Sequence, residues 1–352
     1  MTPSPLHPLP ATLEQIRFAY TTRRVNHADI AGLVMDDRAP AVGQLVLAVV
    51  ETLGQHKQIE LVTGRKARLY PGNLVVLAYG NRYAPDQFEA RLPADLGPCH
   101  MVAGGGLAAL AVAHHASMEA ATTIRPLGLL ANAKGEPLNL ADYALPVALE
   151  PDHTVRPKVY FVCGTSMNSG KTYTAHELVR GFCAQGQRVA AAKVTGTGSG
   201  NDPWRLRDCG AHPVYDFTDA GYPSTYLLPQ PVIEDVMEHL LCQLSALPLD
   251  AIVVEIADGI GLGETAALLE SPRLRRWCDG VLFAAADPLA AQAGVEWLRQ
   301  RQLPILAASG LMTAEPLVTL EAQGLLDVPV LSAQQLALGQ AFAALLSDGA
   351  AA

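Results

Sequence analysis

The run Gly164-Thr165-Ser166-Met167-Asn168-Ser169-Gly170-Lys171-Thr172 stands between a continuous apolar stretch, KVYFVCG, and a segment, YTAHELVRGFCAQG, whose apolar residues recur at helical spacing. Few arrangements satisfy all three pieces at once. The apolar run must be buried as a parallel strand, the glycines must let the backbone turn its N–H groups inward, and a helix must begin where the loop ends. A loop so built surrounds phosphate oxygens, and the partial positive charge of the helix N-terminus adds to their attraction. Gly164, Thr165, Asn168, Ser169 and Gly170 form the wall of that loop, Lys171 is placed to bind β and γ oxygens, and Thr172 to ligate Mg²⁺.

The same rhythm repeats downstream. RVAAAK (188–193), AIVVE (251–255), VLFAAA (281–286) and PILAAS (304–309) read as further buried strands, separated by helical stretches such as 232–246 and 290–301. Alternation of this kind predicts an α/β fold, a doubly wound and mostly parallel sheet with ligands at the carboxyl ends of its strands, over residues 158–345. Upstream, GQLVLAVVETL, KQIELVTGRKARLYPG and NLVVLAYG are short strands broken by Gly64, Pro71, Gly72 and Gly80, which predicts a small β-rich, barrel-like domain over 1–125. Residues 126–157, punctuated by Pro126, Gly128, Gly135, Pro137, Pro146, Pro151 and Pro157, read as a linker. The C-terminus is an alanine-rich tract.

Two further clusters fall at strand ends. Lys193 closes RVAAAK and leads into Thr195, Gly196, Thr197, Gly198, Ser199, Gly200, Asn201 and Asp202, a flexible hydroxyl-rich turn from which a cation can reach a phosphate or carboxylate. Asp202 suits a metal shell through a water, and equally a helix N-cap before Pro203. Glu255 closes AIVVE and is followed by Asp258, three glycines and Glu264. A carboxylate there can ligate Mg²⁺ or orient a nucleophile, whereas a buried one without a partner would be costly. Asp216 and Asp219 read as turn residues, His176 as a surface residue of the helix after the loop, and Glu264 as a helix cap. Cys163 has no basic neighbour in sequence to lower its pKa and reads as core.

Composition narrows the partners. With 25 basic against 34 acidic residues the net charge is −9, which argues against a general binder of nucleic acid or anionic membrane. The first 125 residues carry 11 basic and 10 acidic groups, so the acidity belongs to the remainder. Arg65, Lys66 and Arg68, with Lys57, are the basic cluster of the first part, and read as a solvated hairpin or subunit contact rather than a nucleic-acid patch. Six separated cysteines without a CxxC pair fit reduced thiols, and MTPSPLHPLP lacks the basic start and apolar stretch of a secretory signal. Met101–Ala113 falls short of the roughly 18 residues a membrane span needs. A cytoplasmic location without membrane insertion is expected.

Taken together, GTSMNSGKT with five residues between its glycines, Lys193 and Thr197 after the second strand, and Glu255 in VVEIADG resemble dethiobiotin synthetase and cobyrinic acid amide synthetase, within the P-loop NTPase group that also holds the ParA/MinD-type ATPases. The resemblance covers about residues 158–335. It implies ATP and Mg²⁺ as cofactors, with Lys171, Lys193 and Glu255 catalytic, Thr197 added to the nucleotide-binding loop residues, and Thr172, Asp202 and Glu255 at the metal. It also implies a small-molecule substrate activated by phosphorylation before amide or ring formation, and a homodimer. Ser166, Met167 and Asn168 replace the acidic and hydroxyl loop side chains of dethiobiotin synthetase, and Ser166 stands where ParA/MinD relatives carry an extra lysine. PILAASGLMTAEP has no Asn-Lys pair of the guanine-specific kind, so ATP is expected over GTP.

Three functions remain open at this point. The first is an ATP-dependent enzyme activating or phosphorylating a small carboxylate or amine, with His176 and His212 as candidate acid/base groups. The second is a nucleotide-driven switch or chaperone, in which Gly196–Asp202 and Gly259–Glu264 change shape on hydrolysis and a protein partner reads the change. The third, a nucleic-acid-associated ATPase using Arg65, Lys66 and Arg68, is disfavoured by the charge.

Overall fold

The computed structural model describes residues 5–35 and 39–339; the alanine-rich tract and residues 340–345 of the expected second domain lie outside the described residues. The chain forms two compact units. The first comprises Met1–Pro146 with Gly196–Asn201 and Phe217–Leu227, and the second Val147–Thr195, Asp202–Asp216 and Leu228–Ala352.

The first unit is built from β1 (Arg17–Phe18), β2 (Gly32–Val34), β3 (Leu45–Thr52), β4 (Gln58–Glu60), β5 (Lys66–Arg68), β6 (Leu74–Tyr79), β7 (Arg82–Tyr83), β8 (Phe88–Arg91), β9 (Cys99–Ala103), β10 (Leu107–His114) and β11 (Thr122–Ala131). Nine of these form one sheet, in which β6 pairs with both β3 and β10, so the pairings β6-β3-β11-β9-β10 return to β6. β4 and β5 form a separate hairpin. Residues on β3 alternate between two apolar clusters: Val46, Ala48 and Val50 join Ile59, Leu69, Met101 and Ile124, while Leu45 and Leu47 join Phe18, Leu130 and Leu138. Both faces are buried, which is why GQLVLAVV reads as a continuous apolar run and not as an alternating one.

The linker expected over 126–157 is corrected in its first part. Residues 126–131 belong to β11, which pairs antiparallel with β3, β9 and β2. Pro126 and Gly128 flank a shift in the β11–β3 register, which accommodates a residue without an N–H inside a ladder. Asn139 then caps a short 3₁₀ turn over Leu140–Tyr143, and 144–157 carry no helix or strand. Arg65, Lys66 and Arg68 are exposed, the last two on β5.

The second unit runs β12 (Lys158–Gly164), α1 (Lys171–Ala184), β13 (Val189–Lys193), α2 (Asn201–Asp208), β14 (Val214–Asp216), α3 (Gln230–Ser245), β15 (Ala251–Glu255), α4 (Gly263–Glu270), α5 (Pro272–Trp277), β16 (Gly280–Ala284), α6 (Pro288–Gln300), β17 (Ile305–Ser309), α7 (Pro316–Leu325) and α8 (Ala333–Leu338). Its strands are all parallel, in the order β14-β13-β15-β12-β16-β17. The chain leaves β12 toward one side of the sheet and later crosses to β16 on the other, so the strand order reverses around the carboxyl end of β12. Tyr160 and Val162 of β12 pack with Ala175, Leu178, Val179 and Phe182 of α1, and the Tyr160 and Phe182 rings stack with centroids 5.2 Å apart. Burial of each large apolar side chain stabilises by about 1.5–3 kcal/mol, which holds α1 to the sheet and thereby fixes where its first turn begins. Cys163 is buried and its thiol is pushed up to about 12 by burial, as expected for a core cysteine. No helix among the described residues is long and apolar enough to cross a membrane.

The first strand of this unit is clamped at its start. Asp279, just before β16, accepts from Arg156 Nη1 at 2.6 Å, Lys158 Nζ at 2.9 Å and the Val159 N–H at 2.8 Å. Arg156, almost wholly buried, also donates to the Trp277 and Pro157 carbonyls and lies over the Trp277 ring. Burial pushes the Asp279 carboxyl up, but Arg156, the Val159 N–H and Lys158 outweigh it and hold it below the ordinary value of 3.8. Its contribution is therefore present above pH 3.8 and is lost as pH falls through the lower folded-state value. Asp279→Ala leaves a buried guanidinium without its carboxylate and is expected to cost roughly 3–5 kcal/mol, read from the denaturant midpoint of the full chain. A loss under about 1 kcal/mol would show that the clamp behaves as a surface pair.

Candidate functional site

The loop between β12 and α1 has the backbone its sequence requires. A Cβ on Gly164 would stand 2.5 Å from the Ala284 carbonyl oxygen and from Ser169 Oγ, so only glycine lets the strand end pass so close. Gly170 precedes the helix with φ +98°, and a Cβ there would meet the Leu311 nitrogen at 2.8 Å. Thr165 N–H donates to the Ala284 carbonyl at 3.1 Å, Ser169 N–H to the Ser166 carbonyl at 3.3 Å, and Leu311 N–H to the Ser169 carbonyl at 3.1 Å. The loop is thus anchored to the end of β16 and to the segment that follows β17. Gly170 has no side chain to cap α1, so the first-turn N–H groups lack a side-chain cap, the arrangement that suits a helix start to an anion.

Lys171, 6% exposed, folds back across the loop and donates from Nζ to the Ser166 carbonyl at 2.7 Å. Burial pulls its ammonium below the ordinary lysine value, against the raising fields of Glu255 and Asp258. Thr172 donates from Oγ1 to Glu255 Oε1 at 2.8 Å. Glu255 is only 2% exposed, and its Oε2 is buried without a hydrogen-bond partner, as is Ser169 Oγ.

Sheet order brings the second cluster to the first. β15 lies between β12 and β13, with Glu255 in register with Val162 on one side and Lys193 on the other. Lys193 Nζ lies 3.6 Å from Glu255 Oε1 and forms a shorter ion pair with Asp202 Oδ2. Burial alone would lower the Lys193 ammonium, but Asp202 and Glu255 more than offset it and hold it above its ordinary value. The result is a continuous chain of contacts: Thr172 to Glu255, Glu255 to Lys193, Lys193 to Asp202. Behind it, the Ile260 N–H donates to the Gly164 carbonyl at 3.0 Å and places the segment after Glu255 against the loop. Asp258 is buried in this segment and adds a second carboxylate field at Lys171 and Lys193.

Of the residues singled out from sequence, the structure gathers Gly164, Thr165, Asn168, Ser169, Gly170, Lys171, Thr172, Lys193, Asp202 and Glu255 in one unit. Thr197 is not among them. It belongs to the other unit, where it bridges Ser224 and where the Gly196 N–H donates to Thr225 Oγ1 at 2.8 Å. Asp219 is likewise no simple turn residue: it is buried in the first unit and accepts from Arg23 Nη2 at 2.5 Å, with Arg24 at 3.7 Å. Asp216 is buried at the end of β14. Glu264 opens the first turn of α4, and His212 is exposed. His176, expected at the surface, is buried on α1. Nothing in its own segment marks this, because α1 is covered on more sides than one sheet face alone would cover.

The donor set fits a Mg²⁺-bound phosphate chain. A glycine cradle, an uncapped helix start, a hydroxyl at Thr172 and two orphaned buried oxygens converge on one loop, and each of these gains a partner from phosphate, Mg²⁺ or its waters. Among the described residues no group of three or more His, Cys, Asp or Glu side chains could hold a metal alone. Mg²⁺ at phosphate sites takes only one or two protein oxygens, so none is required.

No family model matches the chain, and no curated protein does. Among solved structures it is similar to the signal recognition particle receptor FtsY from Elizabethkingia anophelis in complex with GDP, at 19% identity and a TM-score of 0.35 over 53% of this chain and 59% of that one. It is also similar to the signal recognition particle 54 kDa protein from Aeropyrum pernix K1 in complex with GDP, at 18% identity and a TM-score of 0.37 over 57% of this chain and 48% of that one. The chain thus matches only about half to three-fifths of the length of either protein. At TM-scores below 0.5, the loop geometry of this chain, and not these likenesses, carries the reading of the site. That geometry is a glycine loop between a strand and a helix of a parallel α/β sheet, and the resemblance to dethiobiotin synthetase is carried no further than that architecture.

Proposed function

We propose that the second unit binds a Mg²⁺–nucleoside triphosphate, ATP by the absence of a guanine-reading segment, and acts as a hydrolytic switch. The observation that carries this reading is the chain from Thr172 through Glu255 and Lys193 to Asp202. When bound, Mg²⁺ and the nucleotide supply a phosphoanhydride whose developing charge is neutralised by the metal. Lys171 turns from the Ser166 carbonyl to phosphate oxygens. Thr172 keeps donating to Glu255 while its lone pairs face the loop, and Glu255 Oε2 is left to orient a water. Lys193 answers to Asp202 and Glu255 together.

This last point favours the switch over ligation of a small molecule. A lysine that neutralises substrate charge must be open to the substrate, whereas Lys193 is already paired with two carboxylates. Lys193 and Asp202 also bracket the segment Gly196–Asn201, which belongs to the first unit. Any rearrangement of this pair therefore acts on that segment through the chain itself, and a protein partner is the expected reader.

The test is phosphate release by the full chain with Mg²⁺ and ATP or GTP, alone and with a pool of small carboxylates and amines. The expected result is slow turnover, on the order of 10⁻⁴ to 10⁻² s⁻¹, insensitive to the pool. Stimulation of about 100-fold or more by one metabolite, in the range general acid–base catalysis reaches, would replace the switch with an enzyme. If the protein neither binds nor hydrolyses either nucleotide, the whole reading fails.

A further inference from the structure

Gly196–Asn201 belongs to the first unit, although Thr195 before it and Asp202 after it belong to the second. Phe217–Leu227, a segment of the same first unit, holds its beginning. The Gly196 N–H donates to Thr225 Oγ1 at 2.8 Å and its carbonyl accepts the Thr225 N–H at 3.0 Å, while the Gly198 N–H donates to the Pro223 carbonyl at 2.9 Å. Gly198 is also wedged in place. A Cβ on it would stand 2.7 Å from Thr21 Cγ2 and 2.9 Å from the Pro223 carbonyl oxygen, and one on Gly105 would collide with the Gly198 carbonyl oxygen. The Gly200 N–H, next on this edge, donates to a side chain: Glu60 Oε2, at 3.0 Å, with Ser199 Oγ 3.5 Å from the same oxygen. Glu60 is only 4% exposed, and its own backbone is fixed by a bond from its N–H to the Gly104 carbonyl at 2.8 Å and by pairing with Lys66 across the β4–β5 hairpin. Burying a carboxylate is costly unless it is hydrogen-bonded, and what this one holds is backbone two residues from Asp202. Gly196 and Gly198 thus each have a backbone bond, whereas Gly200, the nearest of the three to Asp202, is held by a side chain from a different part of the unit.

Resting on the reading of a Mg²⁺–nucleotide switch, we propose that Glu60 is a positioning residue for Asp202: by holding the Gly200 N–H it fixes the chain that leads into Asp202 and so keeps that carboxylate on Lys193. The geometry gives the grip its meaning. Lys193 is shared between Asp202, its ion-pair partner, and Glu255 Oε1 at 3.6 Å, so the place of Asp202 decides how much of the ammonium is left to Glu255. Glu60 touches no reacting atom in this role. The glycine loop is shaped by Gly164 and Gly170 and crossed by Lys171, none of which contacts Glu60 through a hydrogen bond or ion pair given above, so the grip bears on turnover and not on affinity.

The experiment is single-turnover hydrolysis of γ-radiolabelled ATP with Mg²⁺ over a series of full-chain concentrations, with thermal melting in parallel. The plateau gives the rate constant and the half-saturation point the affinity. Glu60→Ala and the too-short Glu60→Asp are expected to lower the plateau rate by at least about tenfold, within the loss that a misplacement of about 1 Å causes, while half-saturation stays within about twofold. Glu60→Gln, whose amide oxygen accepts at the same reach, is expected to return the rate to within about threefold of wild type. A purely structural glutamate would lower the melting temperature of the Ala and Asp variants and leave their rate, measured below the melting transition, changed by less than about tenfold, which overturns the proposal. So does failure of Gln to rescue in a variant that melts like the wild type, or a loss of affinity as large as the loss of rate. If Ala does not fold, Asp against Gln decides alone. A wild-type chain that neither binds nor hydrolyses ATP overturns the nucleotide reading itself, a pattern distinct from an active wild type and variants that match it.

Discussion

Lys171→Ala is expected to lower nucleotide affinity by roughly 30- to several thousand-fold, the consequence of removing about 2–5 kcal/mol from a buried charge contact. The lysine is held in a dry loop with its ammonium on the Ser166 carbonyl, and burial already lowers its pKa. Away from bulk water, its attraction to phosphate oxygens is far stronger than that of an exposed lysine. The loop backbone is also held by bonds to Ala284 and Leu311 and by the positive φ of Gly170, none of which involves the Lys171 side chain. The variant should therefore fold, and calorimetric titration with ATP and Mg²⁺ reads the loss directly. Affinity within about threefold of wild type would mean that the loop does not bind phosphate through Lys171, and the functional assignment would fall with it.

Glu255→Gln separates metal chemistry from folding. The amide oxygen still accepts from Thr172, so the first turn of α1 keeps its partner, but the negative charge shared by Thr172 and Lys193 is gone. We expect nucleotide binding in EDTA to persist and Mg²⁺-dependent hydrolysis to fall about 100-fold or more, the loss typical of removing one electrostatic group at a reacting centre. Glu255→Ala goes further. It leaves the Thr172 hydroxyl without its acceptor while Lys193 keeps Asp202, and should destabilise by roughly 1–3 kcal/mol. The Lys193 contribution is present below its ordinary value of 10.5 and is lost only as pH rises through the higher folded value, so this difference should be full at neutral pH. Hydrolysis by Glu255→Gln at the wild-type rate would reduce Glu255 to a structural partner of Lys193.

Much of this site was legible before any fold was known. Strand, glycine loop and helix in succession can be read within about 30 residues, since each is a local periodicity or a local backbone demand. The same holds for the later parallel strands and for Cys163, an apolar position in an apolar run. The features that were misread share a different origin. Pro126 and Gly128 look like punctuation, yet 126–131 is a strand because β3 and β2 supply ladders to it. Asp219 looks like a turn, yet Arg23 and Arg24, nearly two hundred residues earlier, bury it as an ion pair.

The sequence by itself determined that this chain places a glycine loop between a buried strand and a helix on a parallel sheet, because glycine conformations, buried-strand runs and helix starts are properties of neighbours in the chain. Only the tertiary structure decided that Lys193 and Glu255 stand side by side, that Asp202 answers the lysine, and that His176 is buried on the face of Thr172. Those facts depend on strand order and on what covers each helix. Both are settled by packing between segments far apart in the chain, which no local pattern records.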